Sequence, residues 1–359
     1  MLSFKKTYTL QFNYKIPNYI DLYLHKEKRY RRFIKFYKRY LYIIFKGQKN
    51  LEVFSILPKH SKILWINISA PSLGDSLMDL SSRIMLKDKN MDLFTDIKNA
   101  HIYEDDEIFN NIFIDEEKAK INKYDLIILD SYSSRSVKIK SRIAAKTFYV
   151  GMFGFFNGPE VNRILFSFHQ MNNLLGYVKS EEEINSIAKN AITISKKDKK
   201  IIKAIVPKKY IAIVVGGEWK YKTYQNWGDL IKKLFADNEK INIVLIGSKN
   251  GQNKSKELLK QFNDYQFFDL VSKLSFNQSA EVIRRSDVLI CCDGGLMHAA
   301  NAVSAKVIAL LARLTPEMLL TNKDSISLFD NEDVNNIKVE DVLLKYTKVT
   351  NCDHNRILS

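Results

Sequence analysis

From Lys62 onward the chain alternates short apolar runs with longer segments whose apolar residues recur every three or four positions. Residues 62–68, 210–215, 243–246, 288–292 and 306–311 are runs of mostly branched or aromatic side chains. Runs of that kind predict strands buried on both faces, as in a parallel sheet. Shorter strand candidates lie at residues 91–94, 111–114, 126–129 and 148–150. Between them, Leu77, Leu80, Ile84 and Met85 mark one face of a helix over residues 76–86. Helical spacing also predicts helices over residues 162–175, 227–235 and 339–346. Residues 151–158, rich in glycine and phenylalanine, read as a loop entering a cleft. Strand and helix in alternation predict an α/β chain of parallel sheets covered by helices.

The first 60 residues have a different pattern. In residues 26–42, Tyr30, Phe33, Ile34, Tyr37 and Leu41 fall near one helical face, and Arg31, Arg32, Lys35, Lys38 and Arg39 fill much of the rest. This predicts a basic amphipathic helix. Three uses stay open. It can lie on an anionic membrane, pack its apolar stripe on the protein body, or interleave with single-stranded nucleic acid. No nucleic-acid module follows, so no nucleic-acid partner is expected.

At 359 residues the chain is long enough for two domains. The division expected is a basic aromatic arm over residues 1–60 and a Rossmann-like domain over 61–176. A connection over 177–207, carrying the charged run 196–200, leads to a second Rossmann-like domain over 208–359. The formal net charge is +16, and residues 1–60 hold fourteen Lys/Arg against three Asp/Glu. The basic character therefore belongs mainly to the arm. Only three cysteines occur, with no CxxC pair, which argues against a zinc site or a disulfide framework and suits a reducing cytoplasm. No signal peptide and no apolar run of membrane-spanning length are visible.

The strongest chemical signal is Asp293-Gly294-Gly295-Leu296-Met297-His298, between the apolar run 288–292 and a helix-compatible segment. A helix starting just after two glycines presents unpaired amides and a partial positive charge, which suits a phosphate. An unliganded βα turn has the same sequence character. A second polar loop, residues 216–224, carries Lys220 and Lys222, and a third carries Ser248. In the first domain, Ser72-Leu73-Gly74-Asp75 follows the opening strand. Asp75 suits a general base for a hydroxyl nucleophile, or equally a helix N-cap. The run Asp105-Asp106-Glu107 reads as a solvated face, and no metal site is expected.

Three motifs in this order resemble glycosyltransferase family 9, the heptosyltransferases of lipopolysaccharide inner-core assembly. They are the strand with Ser72-Leu73-Gly74-Asp75, the loop 216–227, and residues 270–311 with Asp293, Gly295, Leu296 and His298. The resemblance spans about residues 62–346 and leaves the N-terminal arm outside. It implies a GT-B fold, two doubly wound domains facing a cleft. The activity it implies is an inverting, metal-independent transfer, with ADP-heptose as donor and no other cofactor. The acceptor would be a lipid-linked lipopolysaccharide core glycan, met at the cytoplasmic face of the inner membrane with residues 26–42 on the anionic surface. Asp75 would be the base. Lys222 or Lys220 would meet the diphosphate with Gly294, Gly295, Leu296 and His298, Asp293 would orient the turn, and Ser248 would lie near the nucleotide. The chain departs from the family pattern at Gly294, where threonine is common, and at Lys249, where an acid commonly meets the ribose; the next acid is Glu257. Arg313 is also unusual in its position. These departures leave room for a same-fold transferase using another nucleotide sugar, for capsule or another surface glycan, or for a non-catalytic relative.

Overall fold

The computed structural model describes residues 29–357 apart from 69, 71, 157–160 and 322–324. Residues 1–28 of the expected arm, and part of the loop expected at 151–158, lie outside the described residues. The chain divides into two compact units, Met1–Lys189 and Asn190–Ser359.

The first described element of the first unit is helix α1 (Arg29–Phe45). Its sheet has five strands: β1 (Lys62–Asn67), β2 (Asn90–Thr95), β3 (Phe109–Phe113), β4 (Leu126–Ser131) and β5 (Tyr149–Gly154). They run parallel in the order β3-β2-β1-β4-β5. The chain order reverses between β1 and β4, where open α/β sheets place their ligands beyond the carboxyl strand ends. Helices α2 (Leu73–Asp79), α3 (Ser134–Ile143), α4 (Arg163–Leu174) and α5 (Glu181–Ile187) follow in chain order. β1 and β4 are almost fully buried, in line with their unbroken apolar character. β5 runs on through Gly154 instead of yielding to a loop at residue 151. Gly154 stays in the ladder because its carbonyl accepts the Tyr132 amide at 2.8 Å and Ser131 pairs with it across a register shift.

The second unit holds α6 (Lys196–Ile205) and a six-stranded parallel sheet. Its strands are β6 (Ile211–Val214), β7 (Ile243–Ile246), β8 (Phe267–Asp269), β9 (Val288–Cys292), β10 (Val307–Ala312) and β11 (Ile326–Asp330). The order is β11-β10-β9-β6-β7-β8. Helices α7 (Trp227–Asp237), α8 (Gln252–Gln261), α9 (Phe276–Arg285), α10 (Gly295–Ala302) and α11 (Val339–Ile357) cover it. Trp227, Leu230, Ile231 and Leu234 form the buried stripe of α7 over Ile213 and Leu245. Cys291 and Cys292 are both buried in β9, and burial pushes the Cys292 thiol up to about 12.

α1 is helical as expected, but of the uses left open for its apolar stripe, packing on the protein body is not the one observed. The stripe of Tyr30, Phe33, Ile34, Tyr37 and Leu41 is exposed. Phe36 and Ile43, at 3% and 1% exposure, instead enter the core formed by β1, β4 and α3. Phe36 meets the Phe155 ring at 4.9 Å. Burying two such side chains stabilises the attachment by about 1.5–3 kcal/mol each. Gln48, just past the helix, accepts a hydrogen bond from the buried Lys140 ammonium and donates to the Lys46 and Ala145 carbonyls. Lys140 also lies over the Tyr149 ring at 5.1 Å.

Candidate active site

Each unit carries a polar cluster at the carboxyl ends of its strands. In the first, β1 ends at Asn67 and the chain enters α2 through Ser72. Ser72, not Asp75, is the N-cap: its hydroxyl oxygen accepts the Asp75 amide at 3.2 Å. The helix starts at Leu73, which leaves Asp75 in the first turn with its carboxylate outside the capping role. Both carboxylate oxygens are held. The Ser72 hydroxyl donates to Oδ2 at 2.6 Å, and Arg163 Nη1 donates to Oδ1 at 2.8 Å. Each oxygen keeps a second lone pair for another donor.

Arg163 is a further residue of this candidate site, and local sequence pattern does not mark it. It opens α4 after the N-cap Asn162 and grips Asp79 with two parallel bonds, Nε to Oδ1 at 2.8 Å and Nη2 to Oδ2 at 2.6 Å. One guanidinium thus serves two carboxylates one helical turn apart. Its flat face lies 5.4 Å from the centre of the Phe153 ring. Asp79 is buried, and burial raises its carboxyl to about 7 despite the Arg163 charge, with Asp75 and Asp130 adding to the rise. Nothing in a single sequence marks Arg163, because its partners lie more than 80 positions away.

Asp130, at the end of β4, accepts the Ile68 amide at 3.0 Å and the Ser136 hydroxyl at 3.0 Å. It ties the end of β1 to α3 and so supports the loop that leads to Asp75. The acidic run at 105–107 is not wholly solvated. Asp106 is buried and pairs with Arg83 at 2.6 Å, while Asp105 and Glu107 are exposed. Arg83 supplies the reason: its guanidinium, itself buried, lies 5.5 Å from the centre of the Tyr103 ring and needs a counter-charge.

In the second unit the structure brings Lys222, Asp293 and His298 together. Lys222 Nζ donates to Asp293 Oδ2, and His298 Nε2 lies 3.8 Å from Asp293 Oδ1. The Asp293 carboxylate therefore faces a side-chain cation, rather than the amides of its own turn. Lys220 is exposed and makes no such contact. Gly294 caps α10 in an extended conformation, and a Cβ placed on it would meet nothing within 4 Å. The Gly295 and Leu296 amides stand in the first turn, where a helix has no partner of its own to offer. Arg313, just past β10, adopts a left-handed φ of +68° and lays its guanidinium 3.8 Å from the centre of the Tyr221 ring. Strained non-glycine backbone of this kind clusters at ligand sites.

Ser248 lies beyond β7 and donates to Asn250 Oδ1 at 2.8 Å. Lys249 is exposed beside it, and Glu257 is taken up by Lys254 at 2.8 Å on α8. The loop after β6 crosses this segment closely. A Cβ on Gly216 would sit 2.7 Å from the Gly251 Cα, and one on Gly251 would sit 2.4 Å from the Val215 carbonyl oxygen. Among the described residues, no group of three or more His, Cys, Asp or Glu side chains is placed to hold a metal ion.

The family model described as glycosyltransferase family 9 (heptosyltransferase) matches residues 156–347, more than half of the chain. The chain belongs to glycosyltransferase family 9. Its fold is GT-B-like, and it is a glycosyltransferase. A glycosyl transferase family 9 protein from Veillonella parvula matches with a TM-score of 0.67 at 11% identity, over 82% of this chain and 98% of that one. Escherichia coli ADP-heptose lipopolysaccharide heptosyltransferase II matches at 0.60 with 17% identity, over 82% and 99%. E. coli heptosyltransferase WaaC with ADP matches at 0.60 with 15% identity, over 80% and 99%. Identities this low speak for the fold alone. No match to a curated protein was found.

Proposed function

We propose that this family 9 transferase moves a heptose from ADP-heptose to a hydroxyl of a lipopolysaccharide-core glycan, in one displacement that inverts the anomeric carbon. The observation that carries the donor half is the pairing of Lys222 with Asp293 at the end of β9, next to the open Gly294 that caps α10. A diphosphate leaving group gains negative charge as the sugar–phosphate bond breaks. A held cation beside helix-end amides stabilises that charge without a metal ion. Asp293 orients Lys222, and the donor phosphates compete for the same ammonium. The ADP-related names of the two E. coli structures support ADP-heptose as the donor.

Asp75 takes the acceptor proton. Its carboxylate is aimed by Ser72 and Arg163, so it reaches the hydroxyl without first losing rotamer freedom. A lipid-linked acceptor of this class would place the enzyme at the cytoplasmic face of the inner membrane.

Transfer assays on Asp75→Asn test the reading. The variant is expected to lose 10²–10⁴-fold in kcat, while ADP binding, read by thermal shift, stays unchanged. Full transfer by the variant would remove Asp75 from the chemistry. One observation favours a second donor. The residues after β7, Gly247-Ser248-Lys249-Asn250, carry an exposed lysine and no acid, and the next acid, Glu257, pairs with Lys254. A thermal-shift panel of ADP, UDP, GDP and CDP separates the two. Stabilisation by UDP or GDP but not by ADP would replace ADP-heptose with another nucleotide sugar.

A further inference from the structure

A helix packed against a protein body ordinarily has one apolar face, and α1 has two. At about 100° per residue, Phe33, Ile34, Tyr37, Leu41, Ile44 and Phe45 fall within one sector of about 120°. All six are exposed, from 40% at Tyr37 to 81% at Phe45. Phe36 and Ile43 occupy the opposite side, where Arg32 is also buried, and hold the helix to the core of the first unit. Between these two sectors lie Arg31, Lys35 and Lys38, all exposed. The exposed apolar strip runs about 18 Å from Phe33 to Phe45 at 1.5 Å per residue. It is therefore not the stripe that folds the helix onto the protein, since other residues do that.

We propose that this second face of α1 docks on an anionic lipid bilayer, with Phe33, Ile34, Tyr37, Leu41, Ile44 and Phe45 entering the headgroup–acyl boundary and Arg31, Lys35 and Lys38 meeting lipid phosphates. Charge selects this occupant. Exposed apolar residues flanked by cations on one side match an interface that is apolar within and negative at its rim. Two copies of α1 face to face would bring their cationic strips together. Three of the six apolar residues are aromatic, the type that settles at headgroup depth. The anchored face fixes the helix axis against the sheet, so docking constrains the whole first unit. The proposal goes beyond the transfer reaction and needs neither Asp75 nor the donor turn.

The test uses the full chain and vesicles of phosphatidylethanolamine and phosphatidylglycerol at 3:1, with pure phosphatidylcholine as the neutral comparison. Sedimentation with vesicles is expected to show binding to the anionic mixture that weakens with salt. Ile34→Asp/Leu41→Asp should lower partitioning at least tenfold. Arg31→Ser/Lys38→Ser should lose most of the phosphatidylglycerol dependence. Both variants change exposed side chains, so melting temperatures should hold; if the aspartates lower them, Ile34→Ser/Leu41→Ser takes their place. Transfer to a water-soluble acceptor should be unchanged, which separates this proposal from the reading of the active site. Equal partitioning of wild type and the apolar-face variants overturns it. So does a result in which those variants split a dimer or release single-stranded RNA without affecting vesicle binding.

Discussion

Asp79→Asn gives a direct test of how the first unit holds two carboxylates on one guanidinium. Asp79 is buried, and its carboxyl is raised from 3.8 to about 7, first by burial and then by the nearby Asp75 and Asp130, against the pull of Arg163. Between those two values the folded state holds a proton that the unfolded chain has released. Stability from this group is thus complete below pH 3.8 and is lost as pH rises through 7. Each pH unit is worth about 1.4 kcal/mol, so wild type should lose roughly 3 kcal/mol from this source between pH 5 and pH 8. The asparagine keeps the size and a polar partner for Arg163 but has no proton to lose. Other titrating groups are common to both proteins and cancel in the comparison. Hydrogen exchange of the β1 amides, corrected for intrinsic rates, reports the stability of this unit. Wild type should fall by about 3 kcal/mol more than the variant between the two pH values. Equal losses would mean that Asp79 stays ionised throughout, and that Arg163 fully neutralises both carboxylates.

Lys140→Met should flatten a second pH dependence of opposite sign. Burial lowers the Lys140 ammonium to about 8, so the unfolded chain binds more protons above that value, and wild type should gain stability from pH 8 to 10.5. Denaturant titrations at pH 7.5 and 10 on both proteins check this, with a difference of up to about 3 kcal/mol expected. Lys222→Met should weaken nucleoside diphosphate binding by about 10–100-fold, the value of a hydrogen bond between charged groups, and leave nucleoside binding unchanged; calorimetry with ADP and adenosine separates the two.

Much of the fold was legible because its strands are buried on both faces. Residues 243–246 and 288–292 read as strands and are strands to the residue. β11 went unread because it is an edge strand, only partly buried, with serine and aspartate among its five residues. The turn after β9 was legible as strand, turn and helix through its local signature, with Asp293, two glycines and His298 within six positions. Which of Lys220 and Lys222 pairs with Asp293 was not, since two residues in one loop differ only in where the 3₁₀ turn Lys220–Lys222 points them. Arg163 and the buried Arg83–Asp106 pair depend on contacts distant in sequence, and local pattern carries no trace of those. α1 shows the same limit. Its amphipathic character was plain, but which of two apolar sides meets the protein is decided by Phe155 and its neighbours.

The close crossing of Gly216 and Gly251 bears on how such an enzyme changes its donor. Neither position has room for a side chain, so the backbone path of this loop is fixed. Ser248 and Lys249 are exposed on that fixed path, and Asn250 accepts the Ser248 hydroxyl with an Oδ1 that lies against Gly216. Exchanges there alter side-chain chemistry without rebuilding the scaffold; with the donor placed as proposed, this three-residue segment is where a change of preferred base or ribose would be sought.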